Sequence, residues 1–174
     1  MQKRTDGQSM VEMALLLPVL VLIIFGIIDL SYYIFGYSTM YQAVRNGAEK
    51  AADIPPYPSK VGPLNPNMDR TDICVTNILS ETQRIAVRFP DLTTDPNNSI
   101  RISYPTGSTH SLGQPIEVAI VYKLKPLTPL WRFVTFGTSG TMTVRATARR
   151  SIEALGDNPT ALNLVACQPG PGGN

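Results

Sequence analysis

The chain is apolar without a charged residue from Met13 to Ile28, and after that its apolar positions recur in shorter, regular patterns. The first stretch, residues 11–30, reads VEMALLLPVLVLIIFGIIDL, with Glu12 and Asp29 at its edges. In a helix rising about 1.5 Å per residue, roughly 20 apolar residues span a bilayer core. A secretory signal removed whole has an apolar region of about 7–15 residues and a small-x-small site close behind it. Here the run is longer, and Ser31–Thr39, rich in Tyr and Phe, follow it; Ala48, Ala51 and Ala52 lie too far downstream. Lys3 and Arg4 precede the run, so the positive-inside rule leaves the N-terminus in the cytoplasm and the rest of the chain outside.

The helical pattern continues past the membrane edge. From Tyr37 to Ala52 there is no proline, and Ala43, Gly47 and Ala51, like Val44, Ala48 and Ala52, recur every fourth residue. Such rows make a small-residue stripe that lets another helix or a sheet approach the backbone closely. The partner is either the chain's own outer domain or another subunit. Pro55-Pro56-Tyr57-Pro58 ends the helix, because proline lacks the N–H and clashes with the preceding turn. Gln8 to Ala52 as one helix is roughly 65 Å long, with Pro18 as its expected kink.

The second half predicts a small α+β domain. After a Pro-rich linker, Thr71 or Asp72 caps an amphipathic helix running to about Phe89, before Pro90. Three strands follow, with alternating apolar positions at Ile100, Ile102 and Tyr104, then Ile116 to Leu124, then Met142 to Ala148. Period-two alternation indicates an antiparallel sheet with one buried face. The connection 125–140 contains PLTPLWRFVTF, with one helical turn expected at Leu130–Val134. Its Trp131, Phe133 and Phe136 either cover the sheet edge or form a partner surface.

Composition adds exclusions. With 15 basic and 13 acidic residues the net charge is +2, and Arg101, Arg145, Arg149 and Arg150 read as a solvated sheet face. No helix-turn-helix or aromatic ladder accompanies them, so nucleic acid is not an expected partner. His110 is the one histidine, and neither metal-ligand spacing nor a nucleophile motif occurs. Ser108, His110 and Asp95 lack the spacing of a triad. The chain is therefore not read as an enzyme, and no metal, cofactor or small-molecule substrate is expected. Cys74 and Cys167 are the only cysteines. In an oxidising compartment they can form one intramolecular bond, worth roughly 4 kcal/mol for so long a loop in the chain-entropy model; two buried or free thiols are the alternative. The tail QPGPGGN is too polar to pack.

A carboxylate at the start of an apolar segment calls for a partner or a function. Glu12 stands five residues after Gly7, behind the basic pair Lys3-Arg4. This layout resembles the class III signal of type IV pilins and pseudopilins, in which a short basic leader is cut after a glycine and the fifth mature residue is glutamate. The string GQSMVEMALLLPVLVLIIFGIIDLSYYIF, followed by QAVRNGAEKAA, closely resembles the N-terminal region of TadE-like proteins, minor pseudopilin-like components of the tight-adherence (Flp, type IVb) pilus system. Gly7, Val11-Glu12, Ala14, Leu17-Pro18, Gly26, Asp29 and the Ala43, Arg45, Ala48, Ala51 series carry the likeness, over about 45 residues. Gln8 departs from the Phe or Leu common at the first mature position of other type IV pilins.

The resemblance implies cleavage between Gly7 and Gln8 by a prepilin peptidase, which takes the net charge from +2 to +1 as Lys3, Arg4 and Asp6 leave. It implies that Glu12 pairs with the new ammonium of a neighbouring subunit; a site at lipid-headgroup level near a helix N-terminus is the other reading. Asp29 is expected to be solvated at the outer membrane edge, with a partner as the alternative. The resulting organisation is a leader 1–7, a transmembrane and projecting pilin-like helix 8–53, a linker 54–70, an extracytoplasmic α+β domain 71–168 and a tail 169–174. The implied function is a minor pilin of a type IVb pilus, acting in assembly, adhesion or surface attachment. Its partners would be the bilayer, the peptidase, other pilins and inner-membrane platform proteins. Two alternatives stand: a single-span anchored binding module, and a pseudopilin of a type II secretion system.

Overall fold

The computed structural model describes residues 6–61, 68–89, 92, 99–129 and 140–155. Helix α1 runs Asp6–Asp53, two residues earlier and one later than the sequence pattern indicates, with Pro18 inside it. A 3-10 turn follows at Pro58–Lys60, then α2 at Ile73–Ile85, β1 at Ser99–Ser103, β2 at Pro115–Leu124 and β3 at Met142–Ser151. The strands form one antiparallel sheet in the order β1-β2-β3. The β1–β2 register pairs Ile100 with Ile120 and Ile102 with Val118. The α+β class read from the sequence is the class observed.

The chain divides into two compact units, Met1–Phe35 with Leu124–Met142, and Gly36–Lys123 with Thr143–Asn174. The second unit holds the core. The inward positions of β1 and β2 are all buried, as are Val144 and Ala146 of β3. Onto them pack Cys74, Val75, Ile78, Leu79 and Thr82 of α2, and Met40, Ala43, Val44, Ala48, Ala51 and Ala52 of α1. The small-residue stripe thus serves its own domain, and the alternative of a subunit contact there is not needed. Gly47 marks the closest approach: an added Cβ would overlap Thr82 Oγ1 and lie 3.4 Å from Val118 Cγ1. A helix interior tolerates the roughly 0.5–1 kcal/mol cost of glycine where packing this close follows from it.

Caps explain where the helices stop. Asp72 accepts hydrogen bonds from the Cys74 and Val75 amides at 3.0 and 3.1 Å, satisfying two donors that the first turn of α2 leaves open. The other end of α2 departs from the sequence reading. The helix stops at Ile85 rather than near Phe89, and the Phe89 amide turns back to the Ala86 carbonyl at 2.8 Å. A residue before proline is pushed out of the helical region, and the turn brings Phe89 into the core, edge-on to Tyr122 at 5.3 Å between ring centres. At the end of α1, the Ala52 carbonyl is taken by the amides of Glu153 and Ala154, just after β3.

The segment read as a linker is packed where it is described. Pro55, Pro56 and Val61 are buried. The Tyr104 hydroxyl donates to the Pro56 carbonyl at 2.6 Å, and burial pushes that phenol's pKa well above its ordinary value. His110 stacks on Tyr57 and hydrogen-bonds the Pro55 carbonyl at 2.9 Å, so the sole histidine closes a corner of the fold. Lys60 pairs with Asp69 at 2.7 Å.

Candidate functional site: the membrane-length helix and its C-terminal end

The N-terminal half of α1 is apolar on every side, and its large aliphatic side chains from Met10 to Ile24 are exposed. Its best 18-residue window has a mean hydropathy of 2.8 and no buried share. Leu15, Leu16 and Leu20 are 70%, 60% and 56% exposed. Roughly 0.8 kcal/mol per CH₂ opposes leaving such side chains in water, so a lipid or protein environment must surround them. The helix is long and apolar enough to cross a membrane.

Gly7 and Gln8 are in the first helical turn, where backbone amides lack partners within the helix. Glu12 follows one turn after Gln8 and is exposed on the same helix. The first five residues lie outside the described part, as do the side chains of residues 6–8. Cys74 is fully buried in the first turn of α2. Cys167, Asp95, Trp131, Phe133, Phe136 and the turn expected at Leu130–Val134 lie outside the described residues.

Asp29 overturns its sequence reading. It is not solvated but 7% exposed. One carboxylate oxygen accepts from the Leu127 and Thr128 amides, both at 3.1 Å, and the other accepts from the Thr128 hydroxyl. Two consecutive amides and a hydroxyl on one carboxylate repeat the chemistry of a helix cap, supplied by a residue 98 positions away. The carboxylate therefore ties the chain leaving β2 to the C-terminal end of the apolar run, both within the first unit. Sequence reasoning found Asp29 and missed its role, because the PLTP segment carries no local signal of a carboxylate partner.

Residues 7–49 match the TadE-like protein family. No curated protein matches the chain, and neither does any solved structure. The TadE-like match begins at Gly7 and takes in Gln8, Glu12, Gly26 and Asp29. It ends at Glu49, before the sheet, and so covers about a quarter of the chain. Together with the membrane-length helix, the TadE-like match fits a membrane protein associated with tight-adherence pili.

Among the described residues no group of three or more His, Cys, Asp or Glu side chains converges as a metal site. Arg101, Arg145, Arg149 and Arg150 are exposed, and Arg149 forms an ion pair with Glu117 of β2. The basic strand face thus carries its own counter-ion.

Proposed function

We propose that this chain is a minor, pilin-like subunit of a tight-adherence (type IVb) pilus, with an assembly role and no catalytic one. It is inserted with its N-terminus in the cytoplasm and its α+β domain outside. A prepilin peptidase removes residues 1–7, and the helix starting at Gln8 enters or underlies the filament with other pilins and platform proteins. The observation that carries this reading is the family match starting at the expected processing glycine, on a helix long and apolar enough to cross a membrane.

In this reading the new α-amino group of Gln8 in one subunit meets Glu12 of its neighbour. Each charge in an apolar bundle costs several kcal/mol alone, and pairing offsets both costs while fixing the axial stagger. A Glu12→Ala chain should still insert in the membrane but fail to enter the pilus assembly, read by fractionation and by pilus yield. Normal assembly of that variant would overturn the pairing role. We also propose a Cys74–Cys167 disulfide in the outer domain; mass mapping without reductant should recover the joined peptides, and free thiols at both positions would refute it.

A further inference from the structure

A second regularity runs along α1. From Met13 to Tyr41 large apolar residues recur at alternating steps of three and four, the last six being Ile23, Ile27, Leu30, Ile34, Tyr37 and Tyr41. All six are between 46% and 59% exposed. A mean step of 3.5 is the coiled-coil period, in which one seam keeps facing a partner helix.

Inside the apolar run any register would be filled, so the telling part lies beyond Ile28. There the same seam holds Leu30, Ile34, Tyr37 and Tyr41, with Ser31 and Ser38 beside it. Tyr41 is 11 residues past Leu30, about 16 Å farther along the axis, beyond the roughly 20 residues that a bilayer core covers. Lipid tails therefore do not reach this end of the seam. Tyr37 and Tyr41 stack along it with ring centres 6.5 Å apart. A different face of α1 is the buried one in this stretch, through Gly36 and Met40.

The identity of the residues selects the partner. β-Branched Ile27 and Ile34 alternate with Leu30, the arrangement that favours two parallel strands. Chains inserted in one membrane by the same route are parallel. No charged residue lies between Leu30 and Gln42, so two copies meet in register without like-charge repulsion. At roughly 60–120 Å² for each buried side chain, the five positions from Ile27 to Tyr41 offer on the order of 300–600 Å² per helix, and the four earlier positions from Met13 to Ile23 continue the same seam towards the about 800 Å² per partner of an ordinary stable interface.

We propose that the seam from Ile27 to Tyr41 pairs with the same seam of a second copy of this chain, forming a parallel two-stranded coiled coil that begins in the membrane and continues beyond it. This pairing rests on exposure and spacing along α1 and does not require the pilus reading.

The test uses the purified full-length chain in lipid vesicles, with no other pilus protein. Ile27→Cys, Leu30→Cys and Ile34→Cys are cross-linked against the seam-distant Ile28→Cys, Phe35→Cys and Gln42→Cys, with the parent chain as background for Cys74 and Cys167. Roughly tenfold more cross-linked dimer at the three seam positions, without trimers, is the expected result. Equal yields on and off the seam, yields at background, or a ladder of higher oligomers would overturn the proposal. Ile34→Glu should lower the dimer fraction about tenfold at the same lipid-to-protein ratio, because a carboxylate would be buried on the seam; an unchanged dimer fraction would count equally against it. Failure here leaves Glu12 pairing untouched, and failure of Glu12→Ala to block assembly leaves this dimer untouched.

Discussion

Gly26 and Gly47 stand in one helix and answer to opposite constraints. A Cβ added at Gly26 would meet nothing within 4 Å, whereas one at Gly47 would run into Thr82 and touch Val118. The same contrast extends to their neighbours. Around Gly26 the side chains are large, apolar and exposed; around Gly47 they are small and buried. One helix therefore serves two surroundings. Its first half presents large apolar side chains to lipid or other helices, and its second half gives its backbone to its own sheet. The family match spans both halves.

Perturbations of the α+β domain should separate the halves. Reducing the proposed Cys74–Cys167 bond should lower the domain's stability by roughly 4 kcal/mol in the chain-entropy model, read by thermal melting, and leave the membrane insertion of α1 unchanged. Gly47→Leu should cost about 3 kcal/mol or more, since Thr82 must move and its hydroxyl gives a buried 2.7 Å hydrogen bond to the Ile78 carbonyl. The matched Gly26→Leu should change the same melt by less than about 0.5 kcal/mol. Equal effects from the two glycine variants would break the comparison.

The remaining perturbations are smaller. Asp29→Ala removes a charged acceptor from two amides and a hydroxyl, so Leu127 and Thr128 should exchange their amide hydrogens roughly 30-fold faster, equivalent to about 2 kcal/mol. The melt of the second unit should move little, because Asp29 and its partners belong to the first. Acid should act weakly and locally. The Lys60 ammonium, then the Thr71 hydroxyl and amide, hold the Asp69 carboxyl well below the usual carboxylate range. A lowered native pKa contributes stability that is present above about pH 4 and is lost as the pH falls towards the native value. Asp69→Asn should flatten that acid limb of the melting profile.

The sequence made some of this legible and hid the rest for physical reasons. The three strands could be read because one face of the sheet is buried, which forces alternation along Ile116 to Leu124. The membrane-length helix could be read because no water-facing helix sustains that run. The Asp72 cap was visible as one of two residues just before the apolar spacing of α2 begins. The end of α2 was not, because Val87 and Arg88 do not reveal that Phe89 is needed against Tyr122. Asp29 was misread as solvated because its donors lie 98 and 99 residues away in an unremarkable loop. Glycine at position 47 fitted a small-residue stripe, but only the neighbouring Thr82 decides that the stripe faces inward.

The central claim is that the exposed half of α1 is a processed pilin-like assembly helix and not a permanent anchor. Its most direct test is the N-terminal sequence of the protein recovered from cells with an active prepilin peptidase. The account predicts a chain beginning at Gln8; a chain still beginning at Met1 would contradict it.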